Sequence, residues 1–378
     1  METIRLLHTS DLHIGAPFTF LGTKGGEQRR ALREAFAAIA RIARDERYDL
    51  LLIAGDLFDQ AFGAGEADVS HVLECLRVAS CRAIVLPGGH DCYAPGSVFE
   101  RERSRFESIG NVSLLRPGRE TIDFPDLSLA VHGRALVANV PAESVLAGLA
   151  PLAGRRWNVC VAHCSVEGFA AGLDPKETPA SLEDLAPGFD YVALGHWHSH
   201  RVLRGSAPPV LYSGSPEIVA RDQEGAGFAV SVTLADGAAS FEPRRIGKRR
   251  IDRRTIDCTG LRSTEELLEK VRREIPPDAD LILDLTLVGV VGVDSALDPE
   301  TGGAQLGRQY FSVRLSGKGP SREISREELL AVPEDTVAGA FVRRMLGRIE
   351  RAEGETKELY EEALQLGYQL FKGRDLIG

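Results

Sequence analysis

The sequence predicts an α/β protein: two packed sheets flanked by helices, then a small α/β module and a C-terminal helical segment. Three observations carry that prediction. Short apolar runs alternate with amphipathic stretches early in the chain, the pattern of strand–helix–strand units with parallel pairing. Segments 209–213, 227–234 and 239–243 then alternate like antiparallel strands. Finally, seven arginines and lysines crowd residues 244–254, and the composition changes behind them. The 378 residues suit two domains with a small appendage.

The elements follow in order. Ile4–Thr9 reads as a strand that runs into Ser10-Asp11-Leu12-His13. Residues 16–26 read as a loop. Leu32, Phe36, Ile39 and Ala43 share one helical face. Leu50–Ala54 is a buried strand ending in Gly55-Asp56-Leu57-Phe58-Asp59. A helix near 67–79 leads to the strand Arg82–Leu86 and to Pro87-Gly88-Gly89-His90-Asp91. A helix near 98–109, short strands near 112–115, 121–124 and 128–133, and a helix over 140–149 come next. Residues 157–162 form a strand ending at His163, and 191–194 one ending at Gly195-His196-Trp197-His198. The basic stretch sets domain limits at 1–245, 246–320 and 321–378. Within the middle part, Ser263 with Glu266 reads as a capping box, 281–289 and 310–315 as strands, and 294–307 as a polar loop. Ser325 with Glu328 caps the last part, where Val337, Phe341, Met345 and Ile349, then Leu359, Ala363, Leu366 and Leu370, form apolar stripes.

Composition narrows the function. A net charge of −10 argues against a uniformly basic nucleic-acid coat. Six cysteines without a C-x-x-C pair indicate reduced thiols and a cytoplasmic chain with no signal peptide. No apolar run reaches membrane-spanning length.

The chemistry gathers at strand ends, where α/β proteins keep their ligands. Asp11, His13, Asp56, His163, His196 and His198 are carboxylate and imidazole donors, a set suited to Mn, Fe or Zn rather than Ca or Mg. No cysteine belongs to it, which excludes a closed structural zinc site. Six donors exceed the need of one catalytic ion. Two ions about 4 Å apart that share Asp56 use them all, clamping a phosphate oxygen and activating a water. His90 reads as the general acid–base or phosphate contact, and Asp59 as a carboxylate that fixes a histidine tautomer. Each fragment alone is weak: D-x-H is common, GD often only makes a turn, and a lone histidine is usually core. Their order, each at the end of a predicted strand, is what raises the signal.

That order resembles the calcineurin-like metallophosphoesterase superfamily, with D-x-H, GD, a GNHD-type turn, H and G-H-x-H. Thr9-Ser10-Asp11-Leu12-His13, Gly55-Asp56-Leu57-Phe58-Asp59 and Tyr212-Ser213-Gly214-Ser215-Pro216 resemble the SbcD-type DNA repair exonucleases and their double-strand-break repair counterparts. The resemblance implies a two-sheet metallophosphoesterase sandwich with a small capping domain. It implies that Asp11, His13, Asp56 and His198 hold one manganese, that Asp56, His163 and His196 hold a second, and that His90 is the catalytic histidine. It further implies that the C-terminal helices bind an SMC-like ATPase, and it is compatible with a homodimer. One departure stands out: Gly89 occupies the position of the family's metal-ligating asparagine. This predicts a weakly held second ion and activity that demands high manganese. Arg245, Lys248, Arg249 and Arg250 are the candidate DNA-phosphate contacts. The reading is therefore a Mn-dependent DNA exonuclease. Its rivals are a small-molecule phosphodiesterase or phosphatase, and a catalytically weakened DNA- or partner-binding protein.

Overall fold

The structure, a computed structural model, describes every residue except 1–2, 140–143, 147, 168–179, 183–187, 222–223, 318 and 373–378. Its contacts divide the chain into two compact units, residues 1–250 and 251–378.

The first unit is built on two six-stranded sheets. One contains β1 (Ile4–Thr9), β2 (Leu50–Ala54), β3 (Arg82–Leu86) and β4 (Val112–Leu114), all parallel. The helices α1 (Gly25–Asp45) and α2 (Glu66–Ala79) supply the crossovers, and α3 (Val98–Arg101) with α4 (Arg103–Glu107) precedes β4. The second sheet contains β5 (Thr121–Phe124), β6 (Leu129–His132), β7 (Trp157–His163), β8 (Tyr191–Gly195), β9 (Arg201–Arg204) and β10 (Val210–Tyr212), in the order β5-β6-β7-β8-β10-β9. There β6, β7, β8 and β10 are parallel, and the two edge strands are antiparallel to their neighbours. The chain then returns to the first sheet as the hairpin β11 (Phe228–Ala235) and β12 (Ala238–Arg245), with β11 antiparallel to β1.

Alternation along the strands explains the core. Leu50, Leu52 and Ala54 of β2 point between the sheets and pack in one cluster with Trp157, Val159, Val161, Tyr191 and Ala193. Each such fully buried side chain contributes about 1.5–3 kcal/mol. Cys160, Ala162, Val192 and Leu194 face the other way, into a second cluster. Leu32, Phe36, Ile39 and Ala43 of α1 are all buried, as their spacing requires.

The second unit pairs β13 (Arg250–Asp257), β14 (Leu281–Val288) and β16 (Ser312–Ser316) with α5 (Thr264–Glu274) and α6 (Pro299–Leu306); β15 (Val290–Val291) and β17 (Ser321–Arg322) form a small ladder. Their cluster includes Leu267, Val271, Leu283, Leu285, Leu306 and Tyr310. A separate cluster unites α7 (Arg326–Leu330), α8 (Val337–Ile349) and α9 (Glu355–Phe371) through Leu329, Val342, Met345, Leu364 and Tyr368.

Several expectations need correction. The 16–26 stretch contains a 3-10 turn at Thr19–Lys24. The helix expected over 98–109 breaks at Glu102 into α3 and α4. Strand β10 is parallel to β8, and β9 is a strand that the sequence pattern does not mark. The polar loop expected at 294–307 holds α6, whose Asp298 side chain caps the Glu300 and Thr301 N–H groups. Residues 144–146, 148 and 149 form turns and coil rather than helix; 140–143 and 147 lie outside the described residues. Glu266 takes the Arg262 N–H instead of completing a box with Ser263, whereas the Ser325–Glu328 box is complete.

Candidate metal centre

The strand-end clusters meet because the two sheets nearly touch at one rim. Gly195 ends β8 against the Ala54 carbonyl at the end of β2, and a Cβ at Gly195 would overlap that oxygen. Gly55, at φ +94°, leaves the space that the His163 ring occupies. Backbone bonds then lock the turns: Asp11 N–H donates to Gly55 O (3.0 Å) and His13 N–H to Asp56 O (2.9 Å). Asp11, His13, Asp56 and His196 all carry positive φ, four of the nine such non-glycine residues among those described. Aspartate and histidine tolerate this region better than most residues, and such strain persists where the surroundings over-determine it.

Asp56 sits at the centre. Its Oδ1 accepts the His90 N–H (2.8 Å), and its Oδ2 lies 3.2 Å from His163 Nε2 and 3.6 Å from His13 Nε2. His13 Nε2 is 3.2 Å from His198 Nε2. The His163 and His196 rings meet edge to face at 5.5 Å, and the His196 N–H donates to Asp11 Oδ1 at 3.0 Å. Three overlapping donor groups result: Asp11, His13 and His198; His13, Asp56 and His90; Asp11, Asp56 and His163. Donor atoms within each lie no more than 4.8 Å apart.

The donor atoms fit a cation. His163 Nδ1 is 2.9 Å from the Ala54 carbonyl, which can only accept, so Nδ1 carries the proton. Nε2 then faces the Asp56 carboxylate from a fully buried position without a hydrogen bond of acceptable geometry. Two electron-rich atoms so placed repel unless a proton or a metal stands between them. Burial alone would lower the His163 pKa, but the Asp56 charge and contact, with Asp11 behind, raise it to about 10. Burial likewise works against ionisation of Asp56, and the His163, His13 and His90 charges override it and hold the carboxyl well below its usual range. Desolvation pushes the half-buried His198 far down, which keeps its imidazole neutral. A carboxylate–imidazole set of this kind suits manganese, iron or zinc.

A calcineurin-like phosphoesterase family model matches residues 4–200, just over half of the chain and all of this donor set. The chain belongs to the calcineurin-like phosphoesterase family. Among similar proteins is the SbcD component of the nuclease SbcCD of Rhodobacter capsulatus, 26% identical over 88% of this chain and 91% of its own length. The DNA double-strand break repair protein Mre11 of Methanopyrus kandleri is 27% identical over 79% of this chain and 66% of its own. An uncharacterized metallophosphoesterase of Bacillus subtilis, YhaO, is 26% identical over 72% and 67%.

Other residues of this phosphoesterase support the centre. His90 is exposed, and its Nδ1 lies 3.1 Å from the Asp59 carbonyl. The Asp59 carboxylate lies 3.5 Å from His13 Nδ1, so one residue sets two imidazoles. The two oxygens of Asp91 accept the Phe58 and Gly88 N–H groups at 3.0 and 2.7 Å and tie the β2 and β3 turns together. Ser10, which sequence reasoning passes over, bonds Ser213 (2.9 Å) and the Asp11 carboxylate. Its position inside the Thr9–His13 motif is the signal that could have found it. Tyr212 anchors the same loop through its hydroxyl, which donates to Cys164 O at 2.8 Å.

The basic stretch is less uniform than its sequence suggests. Arg245 donates to the Gly247, Ala226 and Arg249 carbonyls, and Arg249 is only 8% exposed. Arg245 is exposed but its guanidinium is tied to backbone carbonyls of this segment, and of the four residues Arg249 is the buried one. Lys248 and Arg250 are exposed, Lys248 with Glu34 at 3.1 Å.

Proposed function

We propose that this phosphoesterase is a manganese-dependent DNA exonuclease that acts in double-strand-break repair with an SMC-like ATPase. The observation that carries the phosphodiesterase part is the sharing of Asp56 between imidazoles of both sheets at one rim. Asp11, His13, Asp56 and His198 would hold one ion, and Asp56, His163 and His196 the other. Bound there, the pair would supply Lewis acidity to the phosphate and to the attacking water. The protein's own contribution is positional. Asp59 and the Ala54 carbonyl fix the imidazole tautomers, and the neighbouring imidazoles keep the buried Asp56 carboxylate ionised. The exposed His90 contacts the phosphate or protonates the leaving oxygen.

The nucleic-acid part is supported by the names of the relatives above, a nuclease component and a break-repair protein. Exposed Lys248 and Arg250 offer sequence-independent charge for a phosphate backbone. On α9, Leu359, Leu370 and Phe371 are 61%, 54% and 50% exposed, a ridge suited to helix-in-groove docking on the ATPase. The test is degradation of end-labelled duplex DNA by the purified chain with and without manganese. Manganese-dependent shortening from the ends is expected. His90→Ala should retain metal and lose about 100-fold or more of the rate. Hydrolysis of a chromogenic phosphodiester with none of duplex ends would replace this reading with a small-molecule phosphodiesterase. Metal uptake with no hydrolysis of either would favour a weakened binding protein.

A further inference from the structure

The family resemblance expects an asparagine at Gly89, and the structure sets the side chain of another asparagine against that glycine. Gly89 is the middle of the turn that wraps the shared carboxylate. Its neighbour Gly88 leaves no room for a Cβ beside Asp56 Oδ1, and its other neighbour His90 donates its N–H to that same oxygen. A Cβ built on Gly89 meets a single polar side chain, Asn139, whose Oδ1 lies 2.9 Å away and whose backbone O lies 3.3 Å away. The amide of Asn139 therefore occupies the space into which a side chain at residue 89 would grow. Its approach is fixed by the backbone. Leu136 N–H donates to Pro87 O at 3.4 Å and Tyr93 N–H to Leu136 O at 2.7 Å, which straps the segment along the 87–93 turn. The Leu136 side chain, 5% exposed, packs beneath it.

We propose that Asn139 supplies, from a distant part of the chain, the neutral oxygen ligand that Gly89 lacks, and so completes the second metal position. The chemistry is apt. Asp56, His163 and His196 give that position one shared charge and two imidazoles, and a neutral amide oxygen adds a donor without adding charge. A glycine at 89 is what admits the amide, since any Cβ there would displace it. The inference rests on the two-ion reading of the site above.

Manganese titration of the full chain by calorimetry, with the EPR spectrum of a spin-coupled Mn pair as second readout, tests both. Wild type should bind two ions per chain and show the coupled signal. Asn139→Ala should weaken one of the two by about tenfold or more, leave the other unchanged and lose the coupled signal. Asn139 is exposed, so the melting temperature should not move. In the double variant Gly89→Asn with Asn139→Ala, an amide returns to the same space from the other side, and the second affinity should recover. An Asn139→Ala isotherm that superimposes on wild type, or a loss that Gly89→Asn does not restore, overturns the assignment. A wild type that never binds a pair overturns the two-ion reading itself, an outcome distinguishable from the other two.

Discussion

Asp56 and His163 face each other at 3.2 Å, and the charge of each stabilises the charged form of the other. The folded-state pKa of His163 is raised from 6.5 to about 10. In the metal-free chain the pair's stabilisation is therefore full between the ordinary aspartate value of 3.8 and pH 6.5, declines in acid below that window, and is lost as pH rises through 10. Metal binding runs the other way, because the ion must expel the His163 proton. Manganese affinity should rise by about tenfold per pH unit up to about pH 10 and level off above it, with one proton released per ion seated at His163. Calorimetry in buffers of differing ionisation enthalpy measures that release, and a pH-independent affinity would contradict the protonated pair. At this scale the sequence was legible in residue type and order: Asp11, His13, Asp56, His163 and His198 fall into overlapping donor groups, and His196 belongs to none of them but has its ring against His163. Their supports were not. That Asp59 serves His13 and His90 together, that Asp91 serves two backbone N–H groups, and that Asn139 lies against Gly89 are facts of tertiary approach, with no local spacing to announce them.

The two sheets meet at the rim only because Gly195 has no side chain where β8 passes the Ala54 carbonyl. Gly195→Ala should force β2 and β8 apart, cost about 1–3 kcal/mol and lower the melting temperature by several degrees. Metal affinity should fall with it, because Asp56 and His163 follow those two strands. An unchanged melt and isotherm would show that the rim yields more easily than the contact implies. Elements with one buried face were readable, as with α1, where Leu32, Phe36, Ile39 and Ala43 are all internal. Elements with weak or mixed faces were not. The glycines of α6 hid a helix that Asp298 and Pro299 had in fact announced. The parallel partner of β10 depends on which strand the chain returns to, and alternation alone does not say. In α9 the stripe read from the sequence is largely the outward one, and Leu364 and Tyr368 are the residues that pack.

Each of the two units contains cores of its own, and the helices after Ser325 share a cluster separate from that of the sheet before them. Truncation after Ser325 should therefore leave manganese binding intact while abolishing co-purification with the proposed ATPase. Association that survives the cut would move the partner surface elsewhere. Overall charge works against DNA, at −10, so binding must rest on local cations such as Lys248 and Arg250. Lys248→Ala should flatten the salt dependence of DNA affinity by about one unit of slope and weaken all sequences alike.

The ridge on α9 also bears on how the chain behaves alone. Leu359 and Leu370 project into water three turns apart on a single helix, and Phe371 beside them is half exposed with its ring against Phe341. Without a protein to cover that surface, the chain would clump with its own copies, and sulfate salts would hasten the clumping. Co-production with the proposed ATPase should then raise the soluble yield of the chain.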